Sequence, residues 1–528
     1  MGRLIDPNPA PLKTFALAKR WLGDCLASHN ACTDGSDPIA PTRLVDVGTG
    51  GAIDNIRVIE TQGMRAPYAY LSYIWGGNIP FQLLTSNYAQ MLGGGLPFAD
   101  LKTTVADGIS IVRSCGLRYV WIDSLCIVQD SQEDGKRELP SMPKYLQNAT
   151  FVLSAASSKN ADQGLFRERV SSLHHLGTGR FTQRPLRFTD ITPSAAECDL
   201  YLRDFLESAT NTFRETMLSR CWLIQELILP RRLLVWGADQ VYWTCRTCLW
   251  SEGSVVVEDP SWVKYLPPPE GAAASPNGIS RSYLTWYSLV ELYSSARATF
   301  ASDRLHAIQA FKEQFARRSI QSAYVAGLWV DDMANGLLWY VERLKAEKAY
   351  GSPPAPTWSW ASIDGCVTYC LLRGARTDKI SGEIHRVSFV DASCDRGDDA
   401  FSVRYGISDA GYVELDAMVL GDLKNGDQAS RRQRLECKYF FDCPQYEKRF
   451  HDDGEGGGGQ HILMFVAPWY AGSVGPVAAA DLRCIGLVLF DEGVSGDNPA
   501  NHTRAGLFLG LRYDGRLEGW ERRTVMIR

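Results

Sequence analysis

Apolar runs of strand length alternate with segments of helical spacing between about residues 68 and 156. YAYLSYIW, LRYVWIDSLCIV and TFVLSAA are nearly unbroken runs of apolar, β-branched and aromatic residues, the pattern of strands covered on both faces. Between the first two, LKTTVADGISIVRSCG sets Leu101, Val105, Ile109 and Val112 at helical spacing and closes on Gly116, where a C-terminal cap belongs. Between the second and third, EDGKRELPSMPKYLQNA predicts a weaker helix, because Pro140 and Pro143 interrupt it. Strand, helix, strand, helix, strand predicts an α/β domain with a doubly wound, mostly parallel sheet built by right-handed crossovers.

Farther along, FRETMLSRCWLIQEL reads as a helix and RRLLVWGADQVYWTC as a strand or hairpin, divided by Pro230. After the linker PPPEGAAASPNG, the segments SRSYLTWYSLVELYSSARATF, RLHAIQAFKEQFARR and AGLWVDDMANGLLWYVERLKAEK carry helical spacing. Short alternating runs such as YVELDAMVL, HILMFVAP, CIGLVLF and RAGLFLGL then predict a β-rich end. The expected organisation is a helix-and-hairpin lead-in over 1–66, an α/β domain over 67–250, a mainly helical region over 251–375 and a β-rich C-terminal module over 376–528.

At 528 residues and 45% hydrophobic content the chain has material for several cores. A net charge of -5 and a pI near 6.0 supply no long-range basic field, so nucleic acid is not an expected partner. The sequence has neither a leader-like start nor the roughly 18 uninterrupted apolar residues of a membrane span, which predicts a cytoplasmic protein. Gly2 does not complete a lipidation signal, since Asp6 stands where Ser or Thr is required. Fourteen cysteines, several in apolar runs, imply no disulfide framework.

YAYLSYIWGG, RYVWIDSLCIVQD and RCWLIQELILPRRLLVW stand in the order of the three signature blocks of the heterokaryon-incompatibility (HET) family, which the chain therefore resembles. WLGDCLASHNAC with PTRLVDVG is similar to that family's opening, and YVAGLW, LLWY and APTWSWAS to its continuation beyond the domain. Two positions depart from the pattern: Gly135 replaces a usual Trp, and Tyr145-Leu146 a usual Ile-Tyr pair. The resemblance implies a flavodoxin-like fold similar to TIR domains and a role in programmed cell death after fusion of unlike fungal hyphae. TIR domains include enzymes that cleave the nicotinamide bond of NAD with one essential glutamate. NAD is then an implied substrate and no cofactor is required. The other readings are a non-catalytic signalling module acting by self-association or a protein partner, and a HET scaffold recruited to biosynthesis on a small molecule.

Asp123 ends an apolar run, so it is expected at the carboxyl end of a central strand, where open α/β sheets bind ligands. With Ser124 it equally suits a turn cap, and Gln129 and Asp130 share its loop. Trp75 and Gly76 follow the first strand, the glycine either admitting a ligand or serving a turn. In the third block, Glu226 is the candidate catalytic carboxylate, with Arg220, Trp222 and Gln225 around it. An oxocarbenium-like centre needs one nearby carboxylate, while a buried polar network needs the same residues. Arg220 and Glu226 are six apart, too far for a helical ion pair.

VDVGTGGA, at 45–52, imitates the glycine-rich loop of S-adenosylmethionine-dependent methyltransferases, but the strand-like IRVIE follows too soon for a crossover helix, which predicts a hairpin. Cys25, His29 and Cys32 are expected to form a packed helix face rather than join Cys245 and Cys248 in a zinc site. His174 and His175 are expected to be solvated.

Overall fold

The computed structural model describes residues 5, 11–33, 38–50, 54–77, 81–169, 184–187, 199–202, 221–253, 256–258, 262–269, 279–296, 303–344 and 355–369, and the later strands 388–393, 412–420, 438–441, 460–469, 483–491, 501–512 and 521–527. The chain forms two compact units, Met1–Val263 and Lys264–Arg528.

The first unit is α/β. Helix α1 (Pro11–Ser28) buries Thr14, Ala18, Trp21, Leu22 and Cys25, a stripe at spacings of three and four. The strands are β1 (Arg43–Asp46), β2 (Asn55–Glu60), β3 (Tyr68–Ser72), β4 (Leu96–Pro97), β5 (Tyr119–Ile122) and β6 (Phe151–Ser154). The hairpin β7 (Arg184–Arg187) with β8 (Asp199–Leu202) stands apart, and β9 (Arg232–Trp236), β10 (Val241–Cys245), β11 (Cys248–Ser251) and β12 (Val256–Glu258) follow. The main sheet has ten strands in the order β12-β11-β10-β9-β6-β3-β5-β1-β2-β4. Its four central strands, β5, β3, β6 and β9, are parallel, and both flanks are antiparallel. The sheet is therefore mixed rather than mostly parallel. The apolar runs located its parallel centre; β1 and β2 add one antiparallel flank through Val45↔Val120, and the hairpin from β9 onward adds the other.

Helices fill the crossovers: α2 (Tyr88–Gly93) and α3 (Thr103–Ser114) before β5, then α4 (Asp123–Cys126), α5 (Gln132–Glu138) and α6 (Met142–Asn148) before β6. Gly108 lets α3 lie close on β3, since a Cβ there would stand 2.9 Å from Leu71 Cδ1. The two prolines act differently from each other. Pro140 sits in a 3-10 turn at Leu139–Ser141, and Pro143 opens α6 in its first turn, where no N–H is needed. Helix α7 (Cys221–Ile228) precedes β9. β1 and β2, which flank the glycine-rich VDVGTGGA, pair antiparallel as a hairpin, as its spacing requires.

In the second unit, α8 (Arg281–Ser295) and α9 (Asp303–Arg318) are helical as read. The third helical pattern is not one helix. It divides into β14 (Leu328–Trp329, paired with β13, Tyr324–Val325), a single turn α10 (Met333–Gly336) and β15 (Tyr340–Leu344), which pairs with β16 (Gly365–Thr368). Aromatic contacts explain the substitution: Trp286 meets Phe315, Tyr324 and Trp329 edge-on, and Trp339 and Trp360 donate to the carbonyls of Trp358 and Gly327. A seven-stranded, largely antiparallel sheet between Ser388 and Ile527 forms the β-rich end. Among the described residues, no helix is long and apolar enough to cross a membrane.

Candidate active site at the carboxyl edge of the sheet

Strands β3, β5 and β6 run parallel and end together, with Leu71 opposite Ile122 and Ser72 opposite Ser154. The chain leaves β5 directly into Asp123, the first residue of α4. Its carboxylate accepts from the Ser124 backbone N–H at 2.7 Å and from the Trp75 indole at 2.8 Å. Tyr73 donates to the Ser124 hydroxyl at 2.8 Å, which ties the end of β3 to the same turn. Burial pushes the Asp123 carboxyl up to about 6 against these hydrogen bonds. Tyr70, stacked on Trp121, is raised further above its ordinary value by burial and then by the charges of Glu226 and Asp123. Two carboxylates therefore act on one buried phenol.

Glu226 is half-buried on α7, and the Ser72 hydroxyl donates to its Oε2 at 2.5 Å. Gln225 beside it is buried. Arg220 and the side chain of Trp222 lie outside the described residues, as do His174 and His175. Gln129 faces its own loop, donating to the carbonyls of Asp123 and Ile127 at 2.9 and 3.0 Å. Asp130, exposed, accepts from the backbone and hydroxyl of Thr85. Gly76 has φ +67, and a Cβ there would fall 2.1 Å from Asn160 Cβ. The missing side chain thus admits Asn160, whose neighbour Ala161 donates to the Trp75 carbonyl.

A second carboxylate cluster escaped the sequence reading. Arg43 on β1 is buried, bonded to the Cys126 carbonyl at 2.7 Å and paired with Asp134 and Glu138. Glu138, fully buried, also accepts from Thr42, Tyr145 and Arg137, and Asp134 accepts from Arg137 and the Val128 N–H. Burial opposes the Asp134 charge, yet Arg43 outweighs it and holds that carboxyl below its ordinary value. The signal available in the sequence was an arginine at the head of the short strand RLVD.

A cavity of about 300 Å³ opens at the other end of β5, lined by Asp46, Gly48, Arg57, Gly95, Arg113 and Arg118 among others. Arg118 forms a two-pronged pair with Asp46 at 2.9 and 2.8 Å. The glycine-rich loop therefore borders a pocket, at the end of the sheet away from Asp123.

The structure also joins the two cysteine groups that were expected to stay apart. The ligand atoms of Cys25, His29, Cys32 and Cys245 all lie within 4.8 Å of one another. Residues 25–32 sit at the end of α1 and 245–248 at the β10–β11 turn, neighbours only because β9 carries the hairpin beneath the helix.

The fold and its polar edge define an α/β domain with Asp123 after one central strand and Glu226 bonded to the end of another. Residues 68–226 match the family model described as heterokaryon incompatibility protein (HET), so the chain carries a HET domain over those residues. No curated protein and no solved structure matches the chain.

Proposed function

We propose that this is a fungal non-self-recognition protein whose HET domain triggers cell death by cleaving the nicotinamide–ribose bond of NAD, with Glu226 as the catalytic carboxylate. The observation that carries the reading is Glu226, half-buried and held by the Ser72 hydroxyl at the carboxyl end of β3. Numbered among themselves, the parallel strands β3, β5, β6 and β9 run in the order 2-1-3-4 across the sheet. That order supports a flavodoxin-like, TIR-like reading, in which the ligand crevice falls between the first and third strands, here β3 and β6. In the reaction the C1′–N bond breaks with its electron pair leaving on nicotinamide, which departs neutral. Glu226 stabilises the positive charge left at C1′, and water adds there and releases a proton. Asp123, on the neighbouring strand end, is suited to a ribose hydroxyl.

The test is incubation of the purified full chain with NAD at low and high protein concentration, with free nicotinamide measured. Turnover should appear, and Glu226→Gln, which keeps size and most hydrogen bonding, should lower it at least about 100-fold with thermal stability nearly unchanged. Turnover retained by Glu226→Gln sinks the assignment of that residue. A wild-type chain inert at every concentration, yet self-associating, replaces the enzyme with a non-catalytic signalling module.

A further inference from the structure

We infer that Cys25, His29, Cys32 and Cys245 bind one zinc ion that pins α1 to the β10–β11 hairpin. The ligand set is chemically that of a closed structural site, three thiolates and one imidazole. A tetrahedron with Zn–S near 2.3 Å and Zn–N near 2.0 Å has edges of about 3.5–3.8 Å. The observed spacing approaches this: His29 Nδ1 is 3.4 Å from Cys245 Sγ, and all four ligand atoms lie within 4.8 Å of one another.

The surroundings fit thiolates better than thiols. Arg232, buried, aims Nε at Cys25 Sγ from 3.3 Å and holds the Cys32 carbonyl with Nη2 at 2.8 Å. The Thr247 N–H donates to Cys245 Sγ at 3.4 Å. Three thiolates and a divalent ion leave a single negative charge, and one guanidinium balances it. Its Nη1 donates to the Thr150 carbonyl at 3.1 Å, so backbone carbonyls hold the guanidinium in place beside the Cys25 sulfur. All three cysteines are reduced and buried, and the His29 ring packs at a tilt against Trp250, with ring centroids 5.5 Å apart. Cys248 approaches Cys245 to 3.6 Å but does not belong to the mutually close set, so it stays outside the shell and hydrogen-bonds the Cys245 sulfur. Loading converts each bound thiol to a thiolate and releases its proton to solvent.

The full chain, expressed with zinc and purified under reducing conditions, should contain about one zinc per molecule by elemental analysis. Cys25→Ser and Cys245→Ser should abolish that content and Cys248→Ser should keep it. The unaltered chain gives a second readout that does not depend on the folding of those variants. Stripped by a chelator and reloaded with cobalt, it should show the visible bands and thiolate charge-transfer absorption of a tetrahedral sulfur-rich site. Its melting temperature should fall on stripping and recover on reloading. A folded, reduced chain that holds no zinc and develops no cobalt spectrum overturns the inference. So does a Cys245–Cys248 disulfide in freshly reduced protein, or zinc retained by Cys245→Ser and lost by Cys248→Ser.

Discussion

Asp134 and Asp123 lie in one unit on neighbouring short helices, and burial opposes the charge of both with different outcomes. Asp134 meets Arg43 and Arg137, and the two cations keep it ionised. Asp123 meets an indole, a backbone N–H and a hydroxyl turn, none of which carries charge, and burial wins. A saturated, ion-paired carboxylate holds structure. A carboxylate raised to about 6 at the open end of a parallel sheet is near the range where acids and bases work. The contrast separates groups that resemble each other in sequence, both being acids just beyond a strand or in a first helical turn.

Breaking the first cluster should have the largest effect. Arg43→Met leaves Asp134 and Glu138 buried with fewer cations, and should cost about 3–5 kcal/mol in the first unfolding transition, measured by denaturant titration. A cost below about 1 kcal/mol would mean that Arg137 alone suffices. The same variant should weaken the acid limb of the stability profile. The Asp134 carboxyl is depressed, so its contribution is complete above the ordinary carboxylate value of 3.8 and is lost as pH falls through its folded value.

Asp123 carries the reverse sign. Its folded value is raised, so the protonated form favours the fold; that stability is complete below 3.8 and is lost as pH rises through about 6. Asp123→Asn should therefore raise stability at pH 7.5 by about 1–3 kcal/mol, with the gain vanishing near pH 4. Melting temperatures at the two pH values read this directly, and an equal change at both would remove the titration from the explanation. The smallest effect belongs to Ser72→Ala. Because Glu226 is half-buried, water can replace the hydroxyl, and thermal melts should register a loss of about 1 kcal/mol or less.

The strands β3, β5 and β6 were legible because each is an apolar run bounded by turn residues, and Asp123 was legible as the residue that ends one. The antiparallel flank was harder to read. Strand β2 alternates exposed and buried residues in a short run, and nothing in Arg43 itself announces a partner 91 positions away. Helical spacing failed at 326–344 because tryptophan and leucine clusters satisfy both periods, and the choice was made by aromatic packing that brings Trp286 against Trp329. The cysteine groups failed for a related reason: each has a local reading, and their meeting depends on the sheet order. Glu226 was located by motif rather than by periodicity, and its link to Ser72 spans 154 positions.

The seam between the end of α1 and the β10–β11 turn also bears on how the protein is made. His29 and Cys245 touch across 216 positions, and Arg232 reaches back to Cys25 across 207. At roughly 5–20 residues per second, a ribosome takes on the order of 10–40 s to deliver the second half of that contact after the first has emerged. During that interval α1 exposes its apolar stripe and its Cys-His-Cys cluster with no hairpin to cover them. The first helix therefore waits for nearly the whole unit to be synthesised, and its nascent chain is the stage at which chaperone binding or thiol oxidation can act.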